Sequence, residues 1–92
     1  MPDGIVFIDN EFVSPEHAKM SIFDVGFVWG DTAYDVTSTW KNWFFMLEEH
    51  LDRFQRSCDR FQLKSPYSRD EIRQICAECV QRSGFDDSYV KL

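Results

Sequence analysis

The sequence predicts an α+β domain in which two helices cover one face of an antiparallel sheet. Residues 34–40 alternate between two faces, as the residues of a strand do. From Leu47 onward the apolar residues instead recur at a helical period, and a second such period begins at Ile72. We therefore expect sheet segments near residues 5–8, 11–13, 34–41, 43–46 and 88–92, and helices near residues 47–62 and 69–83.

Composition limits the class of protein. The 92 residues allow one domain or part of one. The net charge is −6 and the basic residues are dispersed, which argues against a nucleic-acid partner. No apolar run is long enough for a membrane helix, and the first residues do not resemble a signal peptide. Three cysteines, an odd number, fit reduced thiols, so we expect a cytoplasmic protein without a membrane partner.

Aromatic residues are abundant for so short a chain, with nine Phe and three Trp. A domain of this size has little interior in which to bury them. We therefore expect part of the aromatic surface to contact a partner domain or subunit, so that the working form is not a lone monomer.

Two turns are expected to close hairpins. Residues 5–8 and 11–13 are short runs suited to strands, and Asp9 and Asn10 between them favour a tight turn. Asn42 stands between the next two strands, and Asn tolerates the positive φ that such turns require.

Residues 20–31 show no steady period. Gly26 and Gly30 bracket a bulky run that ends in Trp29, which suggests a loop that folds over a core or lines a pocket. The simpler interpretation is a packed loop in which Phe27 and Trp29 are buried.

The strand near residues 34–41 has two chemically different faces. One face carries Tyr34, Val36, Ser38 and Trp40, and the other carries Asp35, Thr37 and Thr39. A phenol that faces a pocket can orient a substrate carboxylate or amine. The alternative for Tyr34 is a half-buried ring whose hydroxyl bonds to the backbone.

Arg53 is the candidate site residue of the first helix. The apolar stripe of that helix consists of Leu47, Leu51, Phe54, Cys58 and Phe61. Arg53 flanks the stripe, and a guanidinium at the edge of a core is a good ligand for a carboxylate or a phosphate. The alternative is an ordinary helix-surface pair with Glu49, four residues earlier.

The second helix carries clear end signals. Ser68 and Glu71 form a capping-box pattern, and Gly84 suits the C-terminal cap. Cys76 and Cys79 fall on the apolar stripe of this helix, with no second Cys or His pair at zinc spacing. We interpret them as core cysteines and predict no metal site.

Six motifs follow one another along the chain: SIFD at 21–24, GF at 26–27, DTAYDV at 31–36, Trp40, FFML at 44–47 and HLDR at 50–53. In this order and spacing they resemble the N-terminal part of the fold-type IV pyridoxal-phosphate enzymes, which include the branched-chain and D-amino acid aminotransferases. The similarity is greatest to the (R)-selective amine transaminases. The resemblance implies that residues 1–92 form the small N-terminal domain of the D-amino acid aminotransferase-like fold.

The resemblance also assigns site residues. It implies that Arg53 binds the phosphate of the cofactor, pyridoxal 5′-phosphate. It implies a substrate pocket formed by Trp29, Tyr34, Val36, Tyr89 and Lys91. Trp29 stands where the amine-selective branch usually has His, which implies a narrower or flatter pocket. A cation at Lys91 would suit a substrate carboxylate, and therefore favours amino acids over simple amines.

The activity implied is amino transfer between an amino acid or amine and a 2-oxo acid or ketone. In the family the second domain supplies the catalytic lysine, and none of Lys19, Lys41, Lys64 and Lys91 occupies that position. We therefore expect no catalytic residue in this chain, with the lysine-bearing remainder as its partner and a homodimer as the complete enzyme. The remainder could be a separate chain, or the 92 residues could be a truncated product. The alternatives are a non-catalytic dimerisation or partner-binding domain and, within the family, an aminodeoxychorismate lyase.

Overall fold

The computed structural model describes residues 4–30 and 32–92, so Asp31, part of a motif above, lies outside the described residues. The secondary structure of the described residues confirms the α+β class. In chain order it consists of β1 (Val6–Ile8), β2 (Glu11–Val13), a 3₁₀ turn (Pro15–His17), α1 (Val25–Val28), β3 (Val36–Trp40), β4 (Trp43–Phe44), α2 (Leu47–Arg60), α3 (Arg69–Ser83) and β5 (Tyr89–Lys91).

Both predicted hairpin turns are present. Asp9 and Asn10 have φ values of 51° and 66°, and Lys41 and Asn42 have values of 49° and 68°. Two successive residues with positive φ match the twist of the antiparallel strands that they connect. The predicted strand near residues 43–46 is shorter than expected. It ends at Phe44 because Met46 turns into the left-handed region, with a φ of 53°, immediately before α2.

The strands of residues 4–30 and 32–92 form two sheets where the sequence predicted one. β1 pairs only with β2, and a separate sheet has the order β4-β3-β5, all pairs being antiparallel. The first hairpin lies against α3 instead of joining β3. Its Phe7 ring contacts the rings of Phe12 and Tyr67, so aromatic packing holds the hairpin in place without strand pairing.

Two helices supply the apolar core of the described residues: Leu51 and Cys58 from α2, and Cys76 and Val80 from α3. Burial of a side chain such as Leu51 contributes about 1.5–3 kcal/mol. Burial of Cys76 raises the pKa of its thiol to about 11, so the thiol stays protonated and unreactive at neutral pH. Cys79 is half-buried on the same helix, and both cysteines therefore pack as predicted.

The polar face of β3 is the buried one. Asp35, Thr37 and Thr39 are each less than a tenth exposed. The threonines are hydrogen-bonded, since Thr37 Oγ1 donates to the Phe45 carbonyl at 3.1 Å and Thr39 Oγ1 accepts from the Ser88 amide at 2.9 Å. This satisfies polar groups that would otherwise be costly to bury.

End signals on α3 behave as predicted. Ser68 accepts from the Glu71 amide while the Glu71 carboxylate accepts from the Ser68 amide, which completes the capping box. Gly84 caps the other end in the left-handed conformation, with a φ of 75°. Within residues 4–30 and 32–92 no group of His, Cys, Asp and Glu is arranged to hold a metal ion. None of the helices described is both long and apolar enough to span a membrane.

The segment around α1 is open to solvent. Phe27 is 68% exposed and Trp29 is 77% exposed, so the interpretation of a packed loop with both rings buried is wrong for this structure. Ile22 and Phe23 beside them are also exposed. An apolar surface of this kind normally meets another surface.

Candidate functional site

The candidate site is a cluster of three charged or titratable side chains at the start of β3. The Asp35 side chain is 2% exposed and lies immediately before the strand. Its Oδ2 accepts from Arg53 Nε at 2.6 Å, and its Oδ1 accepts from Arg53 Nη2 at 2.8 Å. His50 Nδ1 and the Val36 amide reach the same Oδ1, at 2.8 and 2.9 Å. A buried carboxylate is thus surrounded by donors.

Local structure explains why these residues meet. Asp35 belongs to the inward face of the strand, and its backbone is held by two hydrogen bonds with Leu92. His50 and Arg53 are separated by one turn of α2, so their side chains lie on the same side of the helix. That side borders the apolar stripe, which packs α2 onto β3 and brings both side chains to Asp35.

Electrostatics fixes the charge state of the pair. The Arg53 guanidinium lowers the pKa of the Asp35 carboxyl against the opposing effect of burial, and with the smaller effect of the His50 hydrogen bond the pKa falls to about 2. The same hydrogen bonds raise the pKa of Arg53. Asp35 is therefore an anion and Arg53 a cation throughout the neutral range.

Arg53 keeps one edge of its guanidinium directed away from Asp35. The carboxylate engages Nε and Nη2, and Nη2 also lies 3.3 Å from His50 Nδ1, while Nη1 and the second Nη2 hydrogen remain outside the contact with Asp35. The side chain is 60% exposed. Two N–H groups on one edge match two oxygens of a phosphate or carboxylate. The ion pair that the structure shows is with Asp35, and the alternative pairing with Glu49 is wrong.

Four of the five predicted pocket residues lie together. Val36 is directly opposite Lys91 across the β3–β5 pair, and Tyr89 is opposite Ser38 on the same face. The Lys91 Nζ lies 5.1 Å from the centre of the Tyr34 ring. Tyr34 is 66% exposed, not half-buried as in the alternative interpretation. This open face lies on the side of the sheet opposite to Asp35.

Trp29 is separate from this group. It follows α1, and none of the described contacts joins it to the other four residues. An open cavity of about 850 Å³ is lined by Tyr34, Tyr89 and Lys91 together with residues of the first hairpin and α3. Arg53 does not line it, so the candidate anion ligand and the cavity are distinct places in the described part of the chain.

Asp35 and His50 were not predicted as site residues from the sequence. A usable signal was present, since Asp35 is the one acidic residue on a strand face that also carries two threonines. A carboxylate on an inward face requires a cationic partner. The spacing of His50 and Arg53, three residues apart on one helix, supplies that partner and a second donor.

Comparison with known proteins gives the family. A family model described as amino-transferase class IV matches residues 32–92, about two thirds of the chain. The chain belongs to the class IV aminotransferase family. The residues of this class IV chain that carry the Asp35 cluster and β5 all fall within the match.

Individual relatives agree with this family assignment. A D-alanine aminotransferase of Listeria monocytogenes serotype 1/2a is 32% identical over 87 residues, which cover 95% of this chain and 30% of the relative. A branched-chain aminotransferase from Thermoproteus uzoniensis, solved with norvaline, superposes with a TM-score of 0.88 at 25% identity, over 98% of this chain and 32% of its own.

A third relative supports the fold. It is a T.th. branched-chain amino acid aminotransferase with pyridoxamine 5′-phosphate, with a TM-score of 0.90 at 23% identity, over 99% of this chain and 32% of its own. The class IV chain thus spans about 30% of the length of the curated relative that it matches. The resemblance of the sequence to the N-terminal part of fold-type IV aminotransferases is confirmed, as is the fold.

Proposed function

We propose that this chain is the N-terminal part of a pyridoxal-phosphate-dependent aminotransferase and that Arg53 anchors the phosphate of the cofactor. Family membership supports the reaction class. A relative of the same fold was solved with pyridoxamine 5′-phosphate, which supports the cofactor. The observation that carries the proposal is the exposed edge of Arg53, held in place by a buried carboxylate.

The residues present fit a phosphate group. The Arg53 fork offers two N–H donors from a rigid plane, which is the geometry that phosphate oxygens accept. Asp35 neutralises part of the charge, but it lies behind the guanidinium and is buried, so an incoming anion meets the cationic edge first. No other side chain of the sequence-predicted site carries a comparable fork.

The other residues would shape the substrate side. When bound, pyridoxal 5′-phosphate supplies an electron sink for amino transfer. Val36, Tyr34 and Tyr89 form an exposed wall on one face of the sheet. Lys91 would pair with a substrate carboxylate, and its position over the Tyr34 ring orients its ammonium. Trp29 would narrow the pocket from a separate loop.

The substrates follow from these groups. A cation beside an aromatic wall suits an amino acid as donor and a 2-oxo acid as acceptor better than an amine and a ketone. Proton transfer would require the lysine of a second domain, since the resemblance assigns none of the four lysines of this chain to the catalytic position. The complete enzyme would be a homodimer that contains this chain together with the lysine-bearing remainder.

The test is equilibrium binding of pyridoxal 5′-phosphate to the complete enzyme. Arg53→Lys keeps a charge beside Asp35 but cannot make the paired contact, so binding should weaken. Arg53→Ala should weaken it by about one to two powers of ten. Arg60→Ala, an exposed arginine at the end of α2, is the matched control and should leave affinity unchanged. Wild-type affinity in both Arg53 variants would refute the anchor.

A second candidate function rests on the exposed aromatic surface. Phe23, Trp29 and Trp43 are each more than three quarters exposed, as a domain kept only for dimerisation or partner binding would also show. Intact-mass measurement with an ultraviolet-visible scan separates the two functions. A co-purifying polypeptide with the absorbance of a bound cofactor supports the enzyme, whereas a self-associated chain without that absorbance supports the binding domain.

A further inference from the structure

Arg53 is held more firmly than its exposure suggests. An arginine that is 60% exposed would ordinarily sample many rotamers in solvent. Here two of its nitrogens bond to both oxygens of Asp35, at 2.6 and 2.8 Å. A bidentate contact of this kind fixes the plane of the guanidinium as well as its position.

The orientation of the Asp35 side chain is itself fixed by several hydrogen bonds. His50 Nδ1 and the Val36 amide both reach Oδ1, and the Asp35 backbone is tied to Leu92 by two hydrogen bonds. The side chain is 2% exposed, so bulk solvent has little access to these oxygens. The carboxylate therefore cannot rotate without losing several contacts, and it holds the arginine side chain in a fixed orientation.

We propose that Asp35 is a positioning residue that selects which edge of the Arg53 guanidinium is available to an anion. Asp35 occupies the Nε–Nη2 edge. Arg53 Nη2 also lies 3.3 Å from His50 Nδ1, but that nitrogen cannot accept a hydrogen bond while it donates to Asp35. Nη1 and the remaining Nη2 hydrogen are therefore left for the anion. His50 supports this by bonding to Oδ1 from the preceding turn of α2. The identification of the anion as the cofactor phosphate rests on the proposed function, but the selection of the edge does not.

A purely structural role would have a different signature. Asp35 also holds the start of β3, and a residue with only that task would affect stability without acting through Arg53. If Asp35 is a positioning residue, its contribution to anion affinity depends on Arg53 and disappears once that arginine is replaced. The two roles therefore differ in whether the effects of the two substitutions on affinity add.

The first measurement is the nuclear magnetic resonance signal of the Arg53 Nε–H in the full chain without ligand. In the wild type this hydrogen should be protected from exchange, because it donates to the buried Asp35 carboxylate. Asp35→Asn, which is nearly isosteric, should restore exchange typical of a solvated arginine. Glu48→Gln removes a carboxylate paired with other arginines on α3 and is the matched control. Unchanged protection in Asp35→Asn would overturn the proposal.

The second measurement is a double-mutant cycle on the complete enzyme, with pyridoxal 5′-phosphate as the ligand and pyridoxal, which lacks the phosphate, as its control. Asp35→Asn should weaken pyridoxal 5′-phosphate binding by about tenfold, the effect of roughly one charge-assisted hydrogen bond, and leave pyridoxal binding unchanged. In an Arg53→Lys background the same change should have little further effect. An equal loss in both backgrounds would show that Asp35 does not act through Arg53.

The outcomes separate the two proposals. If Arg53→Lys leaves cofactor affinity at the wild-type value while Asp35→Asn still frees the Nε–H, the cofactor anchor fails and the positioning of Arg53 stands. If both Arg53→Lys and Asp35→Asn reduce affinity but additively, the anchor stands and the positioning role is overturned. Thermal midpoints recorded for each variant identify any loss that comes from unfolding, and Asp35→Glu provides a second, conservative variant that should recover part of the affinity.

Discussion

Two arginine–carboxylate clusters flank the apolar stripe of α2, and they differ mainly in burial. On one side, Arg53 meets Asp35, whose side chain is 2% exposed. On the other side, Arg69 and Arg73 of α3 meet Glu48, whose side chain is 53% exposed. Arginine hydrogen bonds lower the pKa of Asp35 and of Glu48 alike, to about 2. Solvent screens the second cluster, however, so its ion pairs should contribute less to stability than the buried pair does.

The exposed cluster ties two helices together. Arg69 donates to Asp52 at 2.6 Å and to the Glu48 carbonyl at 2.9 Å, and Arg73 donates to Glu48 at 2.7 Å. These contacts join the first two turns of α2 to those of α3, and the acidic side chains in the first turn of each helix also suit the helix dipoles. Redundant and solvated pairs of this kind hold a surface together, whereas the buried pair fixes one side chain in one orientation.

The largest effect on stability should come from breaking the buried cluster on one side only. Arg53→Ala leaves the Asp35 carboxylate buried with His50 and one amide as its remaining donors, and the melting temperature should fall by on the order of 10 °C. The double variant Asp35→Asn/Arg53→Ala removes the orphaned charge and should melt higher than Arg53→Ala alone. Calorimetry on both variants measures this. A double variant that melts lower than the single one would contradict the account.

Acid should give the next largest effect, by weakening the buried cluster. The pKa of Asp35 is about 2 in the folded chain, below its usual value of 3.8, so its contribution is complete above about pH 4 and is lost as the pH falls towards 2. The contribution is at most about 2 kcal/mol, because solvent reaches Arg53. Denaturant unfolding of wild type and Asp35→Asn at pH 6 and pH 3 should show the difference between them shrinking in acid. A constant difference would mean that the ion pair is not its source.

The exposed cluster should give the smallest effect. Arg73→Gln removes two ion pairs of exposed partners, and the melting temperature should change by less than about 3 °C. The change should disappear in 1 M salt, where the screening length is about 3 Å. Thermal melts at low and high salt check this, with Arg53→Lys as the comparison whose effect persists in salt. A large fall in the melting temperature of Arg73→Gln that persists in salt would contradict this prediction, because it would give the exposed cluster the structural role assigned to the buried one.

Local signals in the sequence predicted much of the fold. The capping residues Ser68 and Glu71, the turn residue Asn42 and the stripe containing Leu51 each act within a few residues, and each is found where expected. The separation into two sheets was not predictable in this way. It depends on Phe7 packing against Tyr67, sixty residues later in the chain, and such a contact leaves no periodic trace in the sequence.

The site was also predicted only in part, because local signals located some of its residues and not others. Spacing placed Arg53 at the border of the stripe, and alternation placed Val36 and Tyr34 on one strand face, as the structure has them. Alternation could not say which face of β3 is buried, because the inward face is the polar one. Asp35 was therefore overlooked, although it determines how Arg53 is held. The roles of Arg53, Trp29 and Lys91 in binding stay predictions.

All three tryptophans of the chain are mostly exposed, with Trp29, Trp40 and Trp43 at 77%, 66% and 80%. Their fluorescence should therefore resemble that of indole in water and be strongly quenched by iodide. Trp40 and Trp43 face each other across a turn braced by Asp86 and Asp87, while Trp29 lies in a different segment. A partner surface that covers one of these rings would shift its emission to the blue, so the three tryptophans report optically on association at either segment.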